Sequence, residues 1–123
     1  MKAIVIDDSR AMRIVLRKSL TQQGFEVVEA GDGRQALDQL EANGPVDLAV
    51  VDWNMPVMDG YEFICEARSR PAMAPMAIMM LTTESDKAQV QRALEAGANE
   101  YVMKPFTEAV FAEKLLLLGF GSE

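Results

Sequence analysis

The sequence predicts an α/β fold, a doubly wound parallel sheet of five strands with helices on both faces, built from residues 1–123 as one domain. Short apolar runs alternate with amphipathic helical runs from one end to the other. Capping and turn residues mark the junctions. No linker, internal repeat or low-complexity stretch interrupts the alternation. Strands separated by helices must pair in parallel through right-handed crossovers, which lay helices on both faces.

Each element follows from local pattern. Lys2–Ile6 is a strand, and Ser9 caps a helix whose inward face is Met12, Val15, Leu16, Ser19 and Leu20, ended by Gly24. Glu26–Ala30 is the second strand. Gly31-Asp32-Gly33 turns it into a helix carrying Ala36, Leu37 and Leu40, and Asn43-Gly44-Pro45 closes that helix. Leu48-Ala49-Val50-Val51 is a continuous apolar strand of the kind buried on both faces. Asp59 caps a helix with Phe63, Ile64 and Ala67 inward, closed before Pro71; Cys65 on it is expected to be a small buried hydrophobe. Met76–Leu81 is the fourth strand, and Val90, Ala93 and Leu94 mark a helix that ends at Gly97. Glu100–Met103 is the fifth strand, and the last helix runs from about Thr107 to Leu118.

Composition bounds the function. Lys and Arg number 12 against 19 Asp and Glu, a formal net charge of −7, which argues against direct nucleic-acid binding, since phosphate backbones demand a basic stripe. One cysteine excludes an internal disulfide, and the absence of histidine removes the usual zinc ligand sets. The start of the chain runs straight into an acidic pair and is too short for a signal peptide. The longest apolar stretch, Ala72 to Leu81, is about ten residues against the roughly 20 of a membrane span. A cytoplasmic protein without membrane insertion is expected.

Open parallel sheets bind ligands beyond the carboxyl ends of their strands. There the chain places Asp7 and Asp8 after the first strand, Asp52 with Trp53 and Asn54 after the third, Thr82 and Thr83 after the fourth, and Lys104 after the fifth. Any one of these has a commonplace explanation. Asp7-Asp8 alone more often caps a helix, and Lys104-Pro105 alone is an ordinary turn. Four strand ends carrying acids, a hydroxyl and a lysine together form a set suited to phosphoryl transfer, in which positioning and charge neutralisation do most of the work.

These residues also carry a resemblance. Asp7-Asp8-Ser9, Asp52-Trp53-Asn54-Met55-Pro56 with Asp59-Gly60, Leu81-Thr82-Thr83, Gly97-Ala98 with Tyr101, and Lys104-Pro105-Phe106 resemble the response-regulator receiver family, across essentially residues 2–118. Within it the chain resembles the stand-alone chemotaxis regulators of the CheY type. The resemblance implies a flavodoxin-like (βα)5 fold with strand order 2-1-3-4-5. In that order the first and third strands are neighbours, roughly 4.8 Å apart, so their carboxylates would share a small space that a hard dication relieves.

The family further implies a two-component phosphorelay regulator, a signalling switch that catalyses only its own phosphorylation and dephosphorylation. Asp52 would accept a phosphoryl group from a histidine kinase. Mg2+ would be held by Asp8, Asp52 and the carbonyl of Asn54, with Asp7 acting through water. Lys104 would pair with the phosphoryl group, across a cis Lys104-Pro105 bond. Thr82 and Tyr101 would move together. An output protein would meet the face of the fourth and fifth helices, comprising the helix from Ser85 to Ala96, the strand around Tyr101 and the helix after Pro105. Asn54 and Glu84, two residues beyond Asp52 and Thr82, are both polar, and a phosphorylated state lasting seconds to minutes is implied. Thr83 stands where the family more often has a smaller residue.

The alternatives are a receiver in a phosphorelay other than chemotaxis, an aspartyl-phosphate phosphatase, and a dinucleotide-binding module. The phosphatase chemistry wants an acid two residues beyond the nucleophile, where Asn54 stands. Gly31-Asp32-Gly33-Arg34-Gln35-Ala36 fits the dinucleotide fingerprint, with Asp52 about 20 residues on, but it follows the second strand and leaves Asp7, Asp8, Thr82 and Lys104 unexplained. The run Leu115 to Leu118 with Phe120 is apolar around the whole helix, so either it meets a partner, it supports self-association, or its last turn folds back onto the core. A monomer or weak dimer is expected.

Overall fold

The computed structural model describes residues 1–83 and 87–120. Glu84 and Ser85, named above, lie outside the described residues. The elements are β1 (Lys2–Ile6), α1 (Arg10–Gln22), β2 (Glu26–Ala30), α2 (Gly33–Asn43), β3 (Leu48–Asp52), α3 (Gly60–Arg68), β4 (Ala77–Thr82), α4 (Lys87–Ala96), β5 (Glu100–Met103) and α5 (Glu108–Leu117). The five strands form one sheet in the order β2-β1-β3-β4-β5, and every pairing is parallel. Among the described residues no helix is long and apolar enough to cross a membrane.

Side-chain alternation along the strands divides the interior into two cores. Ala3, Val5, Leu48, Val50, Met79 and Leu81 face one side, where Leu16 and Leu20 of α1 and Phe111 and Leu115 of α5 cover them. Ile4, Ile6, Ala49, Val51, Ile78 and Met80 face the other, under α2, α3 and Ala93 of α4. β3 is buried at every residue because it sits mid-sheet between the two layers. Burying one such aliphatic side chain contributes about 1.5–3 kcal/mol.

The helices are short and would be marginal in isolation, so their ends matter. Ser9, Asp32 and Thr107 accept from the backbone N–H groups of Met12, Gln35 and Val110 at 3.2, 2.9 and 3.1 Å. Asp59 and Glu62 form a reciprocal capping box at the start of α3. Each such cap stabilises its helix by about 1 kcal/mol. α3 can begin close to the end of β3 only because residue 60 is glycine: a Cβ there would collide with the carbonyl oxygen of Asp52.

Three expectations are corrected. Cys65 is exposed, because Phe63, Ile64 and Ala67 occupy the inward arc of α3 and residue 65 falls about 100° past residue 64. Val15 is 48% exposed on the flank of an arc centred on Leu16 and Leu20. The fourth strand begins at Ala77, one residue late. The leucine-rich end divides. Leu115, Leu118 and Phe120 join the core, with Phe120 edge-on to Phe25 at 5.4 Å between ring centres, while Leu116 and Leu117 face outward, 46% and 66% exposed.

Candidate functional site

Strand register assembles the acidic cluster. Ile6 pairs with Val51, so the next rung sets Asp7 beside Asp52, on the sheet face shared with Val5 and Val50. Asp8 follows, exposed at the sheet edge. Asp7 is fully buried and fixed along its backbone and side chain. Its N–H donates to the Ala30 carbonyl at 3.1 Å, its carbonyl accepts from the Arg13 guanidinium at 2.6 Å, and its Oδ1 accepts from the Ser9 N–H at 2.9 Å. Arg13 also pairs with Glu29, whose carboxyl is held below its usual range chiefly by a hydrogen bond from Arg17.

Lys104, directly after β5, reaches across the end of β4. Its Nζ lies 3.3 Å from Asp7 Oδ2 and 3.2 Å from Asp52 Oδ1. The Lys104 N–H donates to the Thr82 carbonyl at 2.6 Å, and the Lys104-Pro105 peptide bond is cis.

Carboxylate oxygens of Asp7, Asp8 and Asp52 all lie within 4.8 Å of one another. Among the described residues, three carboxyl groups meet one ammonium, so the cluster carries more acid than base. Burial pushes the Asp52 carboxyl above its ordinary range, the charge of Asp7 adds to this, and Lys104 opposes both. Hard oxygen donors of this kind can hold a metal dication, which would relieve the repulsion.

Thr82, the last residue of β4, is buried on the opposite face of the sheet. It shares the parity of Met80, and the register pairs it with Met103. Its hydroxyl donates to Gln89 Oε1 of α4 at 2.7 Å. Tyr101 is half-buried on the edge strand, paired with Met80, and the Lys114 ammonium lies 4.7 Å from its ring centre. Tyr101 borders two open grooves. One of about 320 Å3 is lined by Val90, Gln91, Leu94 and Met103, and one of about 340 Å3 by Phe106, Val110 and Lys114. Asn54 is exposed in the loop after β3, and Trp53 is buried beneath it.

The structure thus brings Asp7, Asp8, Asp52 and Lys104 together, and sets Thr82 and Tyr101 on the α4 side. Sequence reading missed two contacts here. Gln89 holds the Thr82 hydroxyl, and Arg92 lies 4.5 Å from the Tyr61 ring centre and 6.0 Å from that of Trp53. Neither carries a motif, since each depends on where α4 docks.

Comparison with known proteins agrees with this geometry. Residues 3–116 match the family described as response regulator receiver domain. The chain is 45% identical over 99% of its length to a Campylobacter jejuni protein named "Chemotaxis protein CheY homolog", covering 95% of that protein. It is 43% identical to "Chemotaxis protein CheY1" of Helicobacter pylori, covering 94% of each chain. Among solved structures, Vibrio cholerae CheY4 superposes with a TM-score of 0.88 at 33% identity, covering 95% of this chain and 97% of that one. The chain belongs to the response-regulator receiver family, in its CheY-like branch, and is a signalling switch.

Proposed function

We propose that residues 1–123 form one receiver domain that accepts a phosphoryl group on Asp52 from a histidine kinase, with Mg2+ as cofactor, and relays the change to a partner protein in chemotaxis. The observation that carries this reading is the meeting of three carboxylates with the Lys104 ammonium 3.2 Å from Asp52 at the carboxyl edge of the sheet. The names of the Campylobacter and Helicobacter relatives support the chemotaxis assignment.

The donor set fits Mg2+, which prefers one or two carboxylates, a carbonyl and retained waters. Asp8, Asp52 and the main-chain carbonyl of Asn54 would hold it. Asp7, with Oδ1 bonded to Ser9 and Oδ2 to Lys104, would act through water. Bound there, the ion would supply positive charge beside the phosphoryl group.

An oxygen of the Asp52 carboxylate attacks phosphorus. The new O–P bond forms as the bond from phosphorus to the donor breaks, and the donor leaves with that electron pair. Lys104, already placed between Asp7 and Asp52, pairs with the added negative charge. The Thr82 hydroxyl then donates to a phosphoryl oxygen, and Tyr101 follows into the space it leaves. The surface altered is the groove between α4 and β5 together with α5, where Leu94, Met103 and Leu116 are exposed.

Incubation with acetyl phosphate and Mg2+ should add one phosphoryl mass to the intact protein, and Asp52→Asn should abolish it. Full modification of the Asn variant would overturn the assignment.

A further inference from the structure

We propose that Gln89 is the positioning residue that sets the resting state of this switch, by holding the Thr82 hydroxyl on the α4 side of the sheet. The inference rests on the reading of Asp52 as phosphoacceptor and names the contact that phosphorylation must break.

Thr82 is 1% exposed, and its Oγ1 donates to Gln89 Oε1 at 2.7 Å. A hydroxyl has one proton, and an amide oxygen only accepts. While this bond stands, the same proton is not available to an oxygen on Asp52. Strand geometry reinforces the separation. Asp52 pairs with Leu81, so Thr82 is one residue beyond it and its side chain leaves on the opposite face. Gln89 is half-buried in the first turn of α4.

The bond is made from the turn that borders the groove lined by Val90, Leu94 and Tyr101. One turn on, Arg92 lies over the rings of Tyr61 and Trp53, the residue after Asp52. α4 is thus tied to the edge of the site at two points, and Gln89 is the one that holds a group used in the switch. A neutral hydrogen bond of this type is enough to bias a two-state equilibrium about five-fold.

The test is an acetyl phosphate titration with Mg2+, reading the phosphorylated fraction by intact mass. Gln89→Leu and Gln89→Ala should lower the midpoint concentration about five-fold. Gln89→Glu keeps an acceptor and should leave the midpoint at or above the wild-type value. In a Thr82→Val background, Gln89→Leu should have no effect, because no hydroxyl remains to be held. An unchanged midpoint in both Gln89→Leu and Gln89→Ala, or an equal drop in the Thr82→Val background, overturns the proposal. If the wild-type chain gains no phosphoryl mass, or Asp52→Asn gains as much, the site reading fails and the latch with it, and these two arms alone report that outcome.

Discussion

Asp52 is held in tension between burial and Asp7, which disfavour its charge, and Lys104, which favours it. The balance raises its folded-state pKa above the ordinary value of about 3.9. A carboxyl raised in this way stabilises the fold below its unfolded pKa, and that contribution is lost as pH rises through the folded value. Asp52→Asn removes this dependence. Thermal denaturation in a chelator should therefore give a higher midpoint for the variant than for the wild type at pH 7, with the gap closing below about pH 4. Added Mg2+ should raise the wild-type midpoint by mass action and leave that of the variant nearly unchanged. The residues of this cluster were legible in sequence because strand ends fall at fixed places in an alternating pattern. Val15 and Cys65 were misassigned because helical phase at the edge of an apolar arc depends on what the neighbouring element covers. Gln89 left no trace in the pattern at all.

At the scale of elements, the joints between helices and sheet are made by single side chains. Arg68, at the end of α3, donates to the carbonyls of Gly97, Ala74 and Met76 at 2.9, 2.9 and 2.7 Å, and to Asn99 Oδ1 at 2.8 Å. That same Asn99 oxygen accepts from the Ile78 N–H, so one guanidinium ties α3 to the start of β4 and the end of α4. Gly97 has φ +123°, and a Cβ there would also meet the Arg68 side chain at 2.6 Å. Arg68→Met keeps the aliphatic stem but leaves the carbonyls without their donor, and should destabilise the protein by about 2–3 kcal/mol in urea denaturation with little change in phosphorylation. Apart from the start of α4, which falls beside residues that are not described, element ends were readable to within one residue because apolar periods, caps and glycines agreed. The joints were not, since Arg68 in sequence is only a basic residue at a helix end. The Gly31-Asp32-Gly33 motif was legible but ambiguous. Asp32 caps α2, and a Cβ on Gly33 would lie 2.8 Å from Met58 Cγ, so the second glycine serves contact with the loop after β3.

At the scale of the whole molecule, the two cores lock five strands into one register, and the site is a consequence of that register. Asp7 and Asp52 come from residues 45 apart in sequence, and Lys104 from 97 beyond Asp7. Strand order came from the family resemblance, since alternation alone does not choose which strands are neighbours. Changes at the site should travel along β4 to the grooves flanking Tyr101. Amide chemical shifts on phosphorylation should move both around Asp52 and across α4, β5 and α5. In Tyr101→Ala the shifts around Asp52 should persist while those on β5 and α5 fall by more than half. Retention of the full pattern would make Tyr101 a packing residue only.

The most direct measurement is to locate the phosphoryl group. Protein treated with acetyl phosphate, in Mg2+ or in chelator, is reduced with borohydride, which converts an aspartyl phosphate to homoserine, and its peptides are mapped by mass. The account predicts homoserine at position 52 in Mg2+ and almost none in chelator. Modification at Asp7 or Asp8, or equal modification of Asp52 with and without Mg2+, would contradict it.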